Sequence, residues 1–265
     1  MKVFPINLNN SNLQTNQLKS YNNYKVLHHY PTDRITFSSN INSESVKKII
    51  IIIGAPNSGK GTLARSLSDY FSIPTIGAGD ILREEIKKGN KFGEIARQFM
   101  KNIGNVPKFT QLIKVFMGNT IKEKLKLPAY KNGFVLEGFP RTLEEAEMLK
   151  TILDAEKNIE LKIVHLDVNT PLLFERCANR FMCKDCHRTY SFINPKDLPK
   201  CKCGGTLIKR DDDTPEILER RIKKYETETL QVVDYYRDKA VKITIKNANT
   251  GANKVLEKVL SKISE

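Results

Sequence analysis

A run of five isoleucines that leads into a loop rich in glycine constrains the fold of this chain more than any other stretch. Residues Ile49–Thr62 have the sequence IIIIIGAPNSGKGT. An unbroken β-branched run is typical of a central strand in a parallel sheet, which is buried on both faces. The loop fits the phosphate-binding pattern G-x-x-x-x-G-K-[ST], with its hydroxyl one position late at Thr62. The stretch therefore predicts a buried strand, a phosphate-binding loop and a helix.

Every residue of this loop is a candidate ligand for phosphate. Glycines let successive N–H groups point into one cavity, at the N-terminus of the following helix. Lys60 adds a positive charge near a transferred phosphate. The alternative is a glycine-rich turn without a ligand, but strand, glycines, lysine and hydroxyl occur together in the required order. The candidate nucleotide-binding residues are Gly54, Ala55, Pro56, Asn57, Ser58, Gly59, Lys60, Gly61 and Thr62.

The charge balance limits the classes of partner. The 265 residues carry a formal charge of +14, with a pI of about 9.5, which admits nucleic acid, an acidic membrane surface or small anionic substrates. No run approaches the roughly 18 apolar residues of a membrane helix. No long basic run is interleaved with aromatic residues, as a polynucleotide-binding surface would require. We therefore expect a soluble protein that binds small anionic substrates, with neither nucleic acid nor membrane as a partner. We also expect it to be a monomer.

Residues 1–45 differ in composition from the rest. Asn and Ser are abundant, apolar residues show no sustained period, and Asp33 and Glu44 are the only acidic residues. Such a segment is typical of a poorly ordered extension or of an organelle presequence. We expect a cytoplasmic or mitochondrial protein with one folded domain at 46–265.

Downstream of the loop, strand and helix patterns alternate. The strands are expected at Lys47–Ile53, Ile73–Ile76, Gly133–Leu136, Leu161–Asp167 and Val241–Ile245. Alternation of this kind predicts an α/β fold with a parallel five-stranded sheet flanked by helices. Thr170 and Pro171 are expected as the N-cap and first-turn proline of a helix at Leu172–Arg180. Asp213–Pro215 is expected to begin a long helix that ends near Lys239.

Five motifs then occur in a fixed order. They are GAPNSGKGT at 54–62, Gly79-Asp80-x-x-Arg83, GFPRT at Gly138–Thr142, Arg176-x-x-x-Arg180, and Arg210-Asp-Asp-Asp followed by Arg221. With these motifs the chain resembles the adenylate kinase family, in its long-lid form, over about residues 47–263. The resemblance implies a P-loop NTPase core at 46–76, 107–176 and 215–265. It also implies a helical insert at 77–106 that binds the nucleoside monophosphate and a lid at 177–214.

The resemblance also implies an activity and a set of roles. The reaction would be phosphoryl transfer from a nucleoside triphosphate with Mg²⁺ to a nucleoside monophosphate, ATP and AMP giving two ADP. By resemblance, Lys60, Arg180, Arg210 and Arg221 are catalytic, and Arg176 lies over the donor base. The acceptor would be bound by Ala78, Arg83, Val106, Gly138, Arg141 and Glu145.

Three positions depart from the family pattern. Gly77-Ala78 replaces the Ser-Thr of relatives and removes a hydroxyl that would reach the acceptor base. Glu145 replaces a glutamine, and an ionised carboxylate accepts hydrogen bonds but donates none. It would suit guanine N1–H and N2–H₂ better than adenine N1, although rotation, a water or Glu144 could restore adenine. Glu137 replaces an aspartate beside the magnesium site, so lower activity is expected.

Four cysteines fall where long-lid relatives carry a zinc ribbon. Cys183 and Cys186 form a Cys-x₂-Cys knuckle, whereas Cys201 and Cys203 are one residue closer together than usual. Four thiolates could still complete a tetrahedral, structural Zn²⁺ site, or His187 or Asp185 could replace one of them. Two disulfides, or free cysteines without metal, are the alternatives. Cys177 is expected to be an inert buried thiol.

Alternative functions remain open at this point. A GTP:AMP phosphotransferase differs only in its donor base, which would be held near Lys246–Asn249. The three departures are also compatible with a weakly active, kinase-like protein that binds nucleotides for regulation. A nucleic-acid-binding zinc ribbon is a third class, disfavoured because the cysteines lie within the expected lid.

Overall fold

The computed structural model describes residues 46–102, 106–191, 200–245 and 250–263. The expected extension or presequence at 1–45 and the expected donor-base segment at 246–249 lie outside these ranges. Within the described ranges, no helix combines the length and apolar character that a membrane crossing requires.

Strands and helices alternate along the described chain. The strands are β1 (Lys47–Gly54), β2 (Thr75–Gly77), β3 (Gly133–Glu137), β4 (Ile159–Val168), β5 (Arg180–Cys183), β6 (Thr189–Ser191), β7 (Leu207–Ile208) and β8 (Ala240–Ile245). The α-helices are α1 (Lys60–Phe71), α2 (Ala78–Lys87), α3 (Lys91–Asn102), α4 (Pro107–Leu125), α5 (Leu143–Asp154), α6 (Thr170–Asn179), α7 (Pro215–Lys224), α8 (Leu230–Tyr235) and α9 (Ala252–Ile263).

The isoleucine run forms the centre of a parallel sheet, as predicted. Five strands pair in the order β2-β3-β1-β4-β8, and every pairing is parallel. Ile49, Ile51 and Ile53 enter the apolar core on one face of the sheet, whereas Ile50 and Ile52 enter the core on the other. None of the five is more than 3% exposed, and burial stabilises each by about 1.5–3 kcal/mol. The run therefore needs helices on both faces, which the alternating order supplies.

The carboxyl ends of the central strands bring two of the motifs to one edge. The phosphate-binding loop follows β1 and the GFPRT motif follows β3, and these strands pair with Ile52 opposite Glu137. Gly54 lies where β1 meets β4. A Cβ at this position would lie 2.8 Å from the Leu166 carbonyl oxygen, so only glycine fits without a shift. The two motifs thus face the same space above the sheet.

One helix start differs from that expected, whereas a second lies within the expected range. The N-cap of α6 is Asn169, whose side chain accepts from the Leu172 N–H, and Thr170 is already helical. Thr214 caps α7 in the same way, accepting from the Ile217 N–H. Asn169 and Thr170, the two residues before Pro171, are both of types that are good N-caps, so the sequence alone did not show which of them caps α6. The predicted helix to Arg180 was also too long, because Arg180 begins β5.

The long helix expected from Asp213–Pro215 to Lys239 is not continuous. A π-helical segment at Tyr225–Thr229 separates α7 from α8, and a 3₁₀ turn follows at Arg237–Lys239. The Tyr225 hydroxyl lies 2.8 Å from Nε2 of His165 on β4. This contact ties the π segment to the sheet.

A small antiparallel sheet, not predicted from the sequence, lies within the segment expected to be a lid. Its strands pair in the order β6-β5-β7. In the segment expected to bind the monophosphate, α2 and α3 pack closely, and a Cβ on Gly93 would lie 2.3 Å from the Glu85 carbonyl oxygen. Both segments adjoin the edge of the main sheet where the motifs lie.

Candidate functional site

A cavity of about 710 Å³ lies at the carboxyl edge of the main sheet. Its walls include most of the predicted site residues, namely Gly54, Pro56, Asn57, Ser58, Gly59, Lys60, Gly61, Thr62, Arg83, Gly138, Arg141, Glu145, Arg176, Arg180, Arg210 and Arg221. Three of the predicted nucleotide-binding residues do not line it. Ala55 and Ala78 are buried in the two cores, and Val106 precedes α4, where its carbonyl accepts from the Thr110 N–H.

The phosphate-binding loop is held open by its backbone and by its lysine. Gly59 caps α1 with φ +100°, a conformation that favours glycine. The Lys60 ammonium donates to the carbonyl oxygens of Gly54 and Ala55 at 2.8 and 2.7 Å. The Ser58 hydroxyl is buried without a hydrogen-bond partner among the described residues. The loop thus encloses a space lined by polar groups, at which the Lys60 ammonium is held by the loop's own carbonyl oxygens.

The environment of Lys60 disfavours its positive charge. Burial lowers the pKa of Lys60 to about 8; attraction by Glu137 opposes this effect, and repulsion from Arg141, Arg180 and Arg221 adds to it. An anion bound beside the ammonium would reverse this effect. The electrostatics of the loop therefore match a negatively charged ligand.

Two arginines mark a second polar region of the cavity. Arg83 pairs with Asp80 on the first turns of α2, while its Nε is buried without a partner among the described residues. The Nε of Arg141 donates to the Gly138 carbonyl oxygen at 2.8 Å, which leaves the rest of the guanidinium facing the cleft. Although Arg141 is exposed at the cleft wall, the surrounding protein partly desolvates it and lowers its pKa; attraction by Glu145 opposes this effect, and repulsion from Arg221 and Arg83 adds to it. Two guanidinium groups with unused donors fit one phosphate.

Three more arginines come from the segment after α6 and from α7. Arg180 donates from Nε to Oδ2 of Asp213 at 2.8 Å, and Arg221 pairs with Asp212 at 2.6 Å. Arg210 makes no ion pair within the described part of the chain, and its Nε donates to the Met182 sulfur at 3.1 Å. Burial lowers its pKa to about 10, with repulsion from Arg83 and Arg180 adding to the effect.

Two basic residues of the cleft were not found from the sequence. Arg65, on α1, donates to the carbonyl oxygen of His187 at 2.9 Å and lines the cavity. Lys224 also lines it and pairs with Glu228 at 3.0 Å. Arg65 follows Gly61 by four residues, a spacing that places both on one face of α1 and could have indicated its position.

Glu145 is the buried carboxyl group of the cleft. It lies in the first turn of α5 and is 8% exposed. Its Oε2 accepts from the Arg141 N–H at 2.6 Å, and its own N–H donates to the Thr142 hydroxyl that caps the helix. Burial raises the pKa of Glu145, against the opposing effects of the Arg141 N–H and guanidinium.

Four thiols converge beside the small antiparallel sheet. The Sγ atoms of Cys183, Cys186, Cys201 and Cys203 all lie within 4.8 Å of one another. The closest pairs are 3.4–3.5 Å apart. A tetrahedron with Zn–S bonds of about 2.3 Å has edges of about 3.8 Å. Four cysteines, without His187 or Asp185, thus fit a zinc ion after a small adjustment.

Cys177 stands apart from this group. It is buried in the core on the α6 side of the sheet, and burial raises the pKa of its thiol. A raised pKa leaves little thiolate at neutral pH, in keeping with the expected inert thiol.

Comparison with known proteins gives a consistent result. A family model described as adenylate kinase matches residues 52–241. A relative named adenylate kinase from Archaeoglobus fulgidus is 36% identical over 220 residues, which cover 81% of this chain and 98% of the relative. One from Methanosarcina mazei is 38% identical over 200 residues, covering 74% and 89%. One from Methanothrix thermoacetophila is 37% identical over 219 residues, covering 80% and 98%.

Proposed function

The chain belongs to the adenylate kinase family, and from that premise we propose that it transfers the γ-phosphoryl group of ATP to AMP, giving two ADP. The observation that carries this proposal is the grouping of a phosphate-binding loop and two sets of arginines around one cavity. Family membership makes the chain a phosphotransferase, with nucleotides as its substrates. The roles of individual residues below are proposals.

The donor triphosphate would be held by the loop and Lys60. The loop N–H groups and the N-terminus of α1 bind phosphate oxygens, and Arg176 adds a guanidinium beside the loop, where it donates to the Ser58 carbonyl oxygen at 2.9 Å. Adenylate kinases use Mg²⁺ with the nucleotide. Here the Thr62 hydroxyl and the Glu137 carboxylate, both on the cavity wall, offer the oxygen ligands that this ion prefers.

The acceptor phosphate would lie against Arg83 and Arg141. One of its oxygens attacks the γ-phosphorus while the bond to the β–γ bridging oxygen breaks, and that oxygen leaves with the electron pair as part of a diphosphate. Negative charge on the transferred group is neutralised by Lys60 and the three arginines of the lid side, Arg180, Arg210 and Arg221. No covalent enzyme intermediate is needed, so positioning and charge supply the catalysis.

We propose that the insert and the lid, with the limits predicted from the sequence, move relative to the core. The core would comprise 46–76, 107–176 and 215–265, the acceptor-binding insert 77–106 and the lid 177–214. Closing both over the core would exclude water, which otherwise competes as phosphoryl acceptor. The contact of Arg65 on α1 with the His187 carbonyl in the lid segment supports an approach of this kind.

Turnover by the purified full chain tests the proposed function. With Mg²⁺, we expect ADP from ATP and AMP in a coupled assay. GTP in place of ATP separates an ATP-dependent enzyme from a GTP:AMP phosphotransferase, since the donor base is the part of the site that the described residues leave open. Absence of turnover with either donor and any of AMP, GMP, CMP or UMP would instead indicate a binding protein without kinase activity.

We also propose that the four-cysteine group holds a structural zinc ion. The thiol geometry fits, and Tyr190 and Cys203 donate hydrogen bonds to the Cys201 sulfur. Despite the opposing effect of burial, such bonds lower the pKa of Cys201 to about 6, whereas burial raises the pKa of Cys186 to about 12, so the support for the site is the geometry. A metal would cross-link the small sheet, which has only nine paired residues and little apolar core of its own.

Zinc content is a direct test of this site. We expect about one equivalent of zinc in protein purified without chelators. Cys201→Ser should lose most of it and lower the melting temperature. Cys177→Ser, a change of the same kind at a cysteine outside the group, should keep the full zinc content. Less than about half an equivalent in the wild-type protein would exclude the assignment.

A further inference from the structure

The second pair of clustered cysteines lies in a turn that is one residue shorter than the first. Two residues separate the cysteines of the first pair, whereas only Lys202 separates Cys201 from Cys203. The short turn closes on itself through its backbone. The Gly204 N–H donates to the Cys201 carbonyl oxygen at 2.7 Å, and the Cys201 N–H donates to the Gly205 carbonyl oxygen at 3.2 Å. The φ of Gly204 is +85°, a conformation that favours glycine.

The remaining N–H groups of this turn find acceptors of two kinds. The Cys203 N–H donates to the Cys201 sulfur, and the Gly205 N–H donates to the Cys203 sulfur. The Lys202 N–H, between the two cysteines, donates instead to the hydroxyl oxygen of Tyr190 at 3.2 Å. A side chain from another element thus supplies an acceptor to the backbone of the short turn.

The same hydroxyl also contacts one of the candidate metal ligands. The Tyr190 oxygen lies 3.2 Å from the Cys201 sulfur. Because this oxygen accepts from the Lys202 N–H, its own proton is free to point towards the sulfur. A cysteine bound to a metal is a thiolate and has no proton to donate, so Tyr190 is the donor of this hydrogen bond. One hydroxyl therefore bonds both to the turn and to a ligand that the turn carries.

The position of this hydroxyl is set by the small antiparallel sheet. Tyr190 is the middle residue of β6 and pairs with Phe181 of β5. Strand β5 ends at Cys183, whose N–H donates to the Arg188 carbonyl oxygen at 2.9 Å. The sheet that carries the first cysteine pair is therefore joined through Tyr190 to the turn that carries the second pair. This link holds the two pairs in place without help from a metal.

We propose that Tyr190 is a positioning residue of the metal site, whose hydroxyl holds the short Cys-x-Cys turn and donates to the Cys201 thiolate. This inference rests on the proposed zinc site and does not depend on phosphoryl transfer. Groups that hydrogen-bond to metal ligands orient those ligands, and their loss typically lowers metal affinity by about 10–100-fold. The turn lacks one residue of the usual spacing, and the tyrosine supplies a contact that its own backbone does not.

Zinc affinity of the full chain is the first test. Tyr190→Phe keeps the aromatic ring and removes only the hydroxyl. In competition with a chromogenic chelator, we expect its dissociation constant for zinc to be about 10–100-fold higher than that of the wild type. Tyr70→Phe is the matched control, because Tyr70 lies on α1 and is 61% exposed. This control should bind zinc as tightly as the wild type.

The absorption spectrum of the cobalt-loaded protein supplies a second measurement. Charge transfer from a thiolate sulfur to Co²⁺ produces an absorption band, and a hydrogen bond to the sulfur lowers the energy of its lone pairs. Loss of that bond in Tyr190→Phe should therefore move the band to longer wavelength. Excess Co²⁺ keeps the site saturated, so a weaker affinity does not hide the shift. The band of Tyr70→Phe should stay at the wild-type position.

The outcomes separate this inference from the proposals on which it depends. Wild-type zinc affinity and an unchanged cobalt band in Tyr190→Phe would overturn the role of Tyr190 and leave the zinc site intact. Weaker affinity without a shift of the band would mean that the ring only packs against the turn, which also overturns the inference. A wild-type protein that binds neither zinc nor cobalt would overturn it together with the zinc site, whereas the formation of ADP tests the phosphotransferase separately.

Discussion

Lys60→Met is expected to lower kcat for phosphoryl transfer by about 10²–10³-fold, the usual effect of removing one buried donor to a developing charge. Methionine keeps much of the length and apolar stem of lysine but loses the ammonium. In the ligand-free protein that ammonium donates to Gly54 and Ala55 within the loop. It is therefore already placed where the phosphates of the donor would enter. The loss should appear mainly in kcat, because the loop N–H groups still bind the donor.

The same substitution should remove a proton-linked step in donor binding. Because the pKa of Lys60 is lowered to about 8 in the empty cleft, the free protein loses this proton as pH rises through that value. A bound triphosphate restores the charge, so nucleotide affinity should fall above pH 8 and binding should take up a proton there. Lys60→Met should show neither effect in calorimetric titrations.

Lys126→Met is the matched control for this experiment. Lys126 follows α4, is 70% exposed and pairs only with Glu123 on the surface. We expect its removal to leave kcat and proton uptake unchanged, since an exposed pair contributes little. Activity of Lys60→Met within about tenfold of the wild type would show that Lys60 lies outside the site of transfer.

The parts of the fold that the sequence predicted are those governed by local pattern. Five consecutive isoleucines before a glycine-rich loop are typical of a central strand in a parallel sheet, and they lie in such a strand. The first residues of helices were predicted less well, because neighbouring residues such as Asn169 and Thr170 can both serve as the N-cap. The π segment at Tyr225–Thr229 has no local signal, because it depends on the contact between Tyr225 and His165, 60 residues away.

For the candidate site, the motifs supplied the residue types but not the ion pairs between them. Asp212 and Asp213 follow Arg210 and precede a helix, and this spacing alone does not decide whether they pair with arginines or cap the helix. In the structure they pair with Arg221 and Arg180, and Thr214 provides the cap. Arg65 was missed because its role depends on the lid segment approaching α1. Glu145 was recognised as a departure, but its burial, which raises its pKa, is a tertiary property.

A matched pair of substitutions, Arg180→Met and Arg210→Met, should separate catalytic from structural contributions of these arginines. Each is expected to lower kcat by about 10³-fold, because each removes one positive charge that, as we propose, faces the transferred phosphoryl group. Their effects on stability should differ. The Asp213 side chain is only 2% exposed and is paired with Arg180, so Arg180→Met leaves a buried carboxylate without its partner. The cost should be about 3–5 kcal/mol of unfolding free energy.

Arg210→Met should not lower stability, because the surroundings of Arg210 disfavour its charge. Burial and the neighbouring Arg83 and Arg180 lower its pKa to about 10, so folding at neutral pH bears the cost of keeping it charged, and methionine removes that cost. Urea unfolding of both variants measures the difference, and a coupled assay measures kcat. Equal losses of stability would mean that Arg210 has a structural partner after all, whereas loss of activity in Arg180→Met alone would remove Arg210 from the catalytic set. Loss of activity in both variants, with loss of stability in Arg180→Met alone, would indicate that Arg210 acts only on the charge of the substrate. Arg180 would then both act on that charge and stabilise the fold.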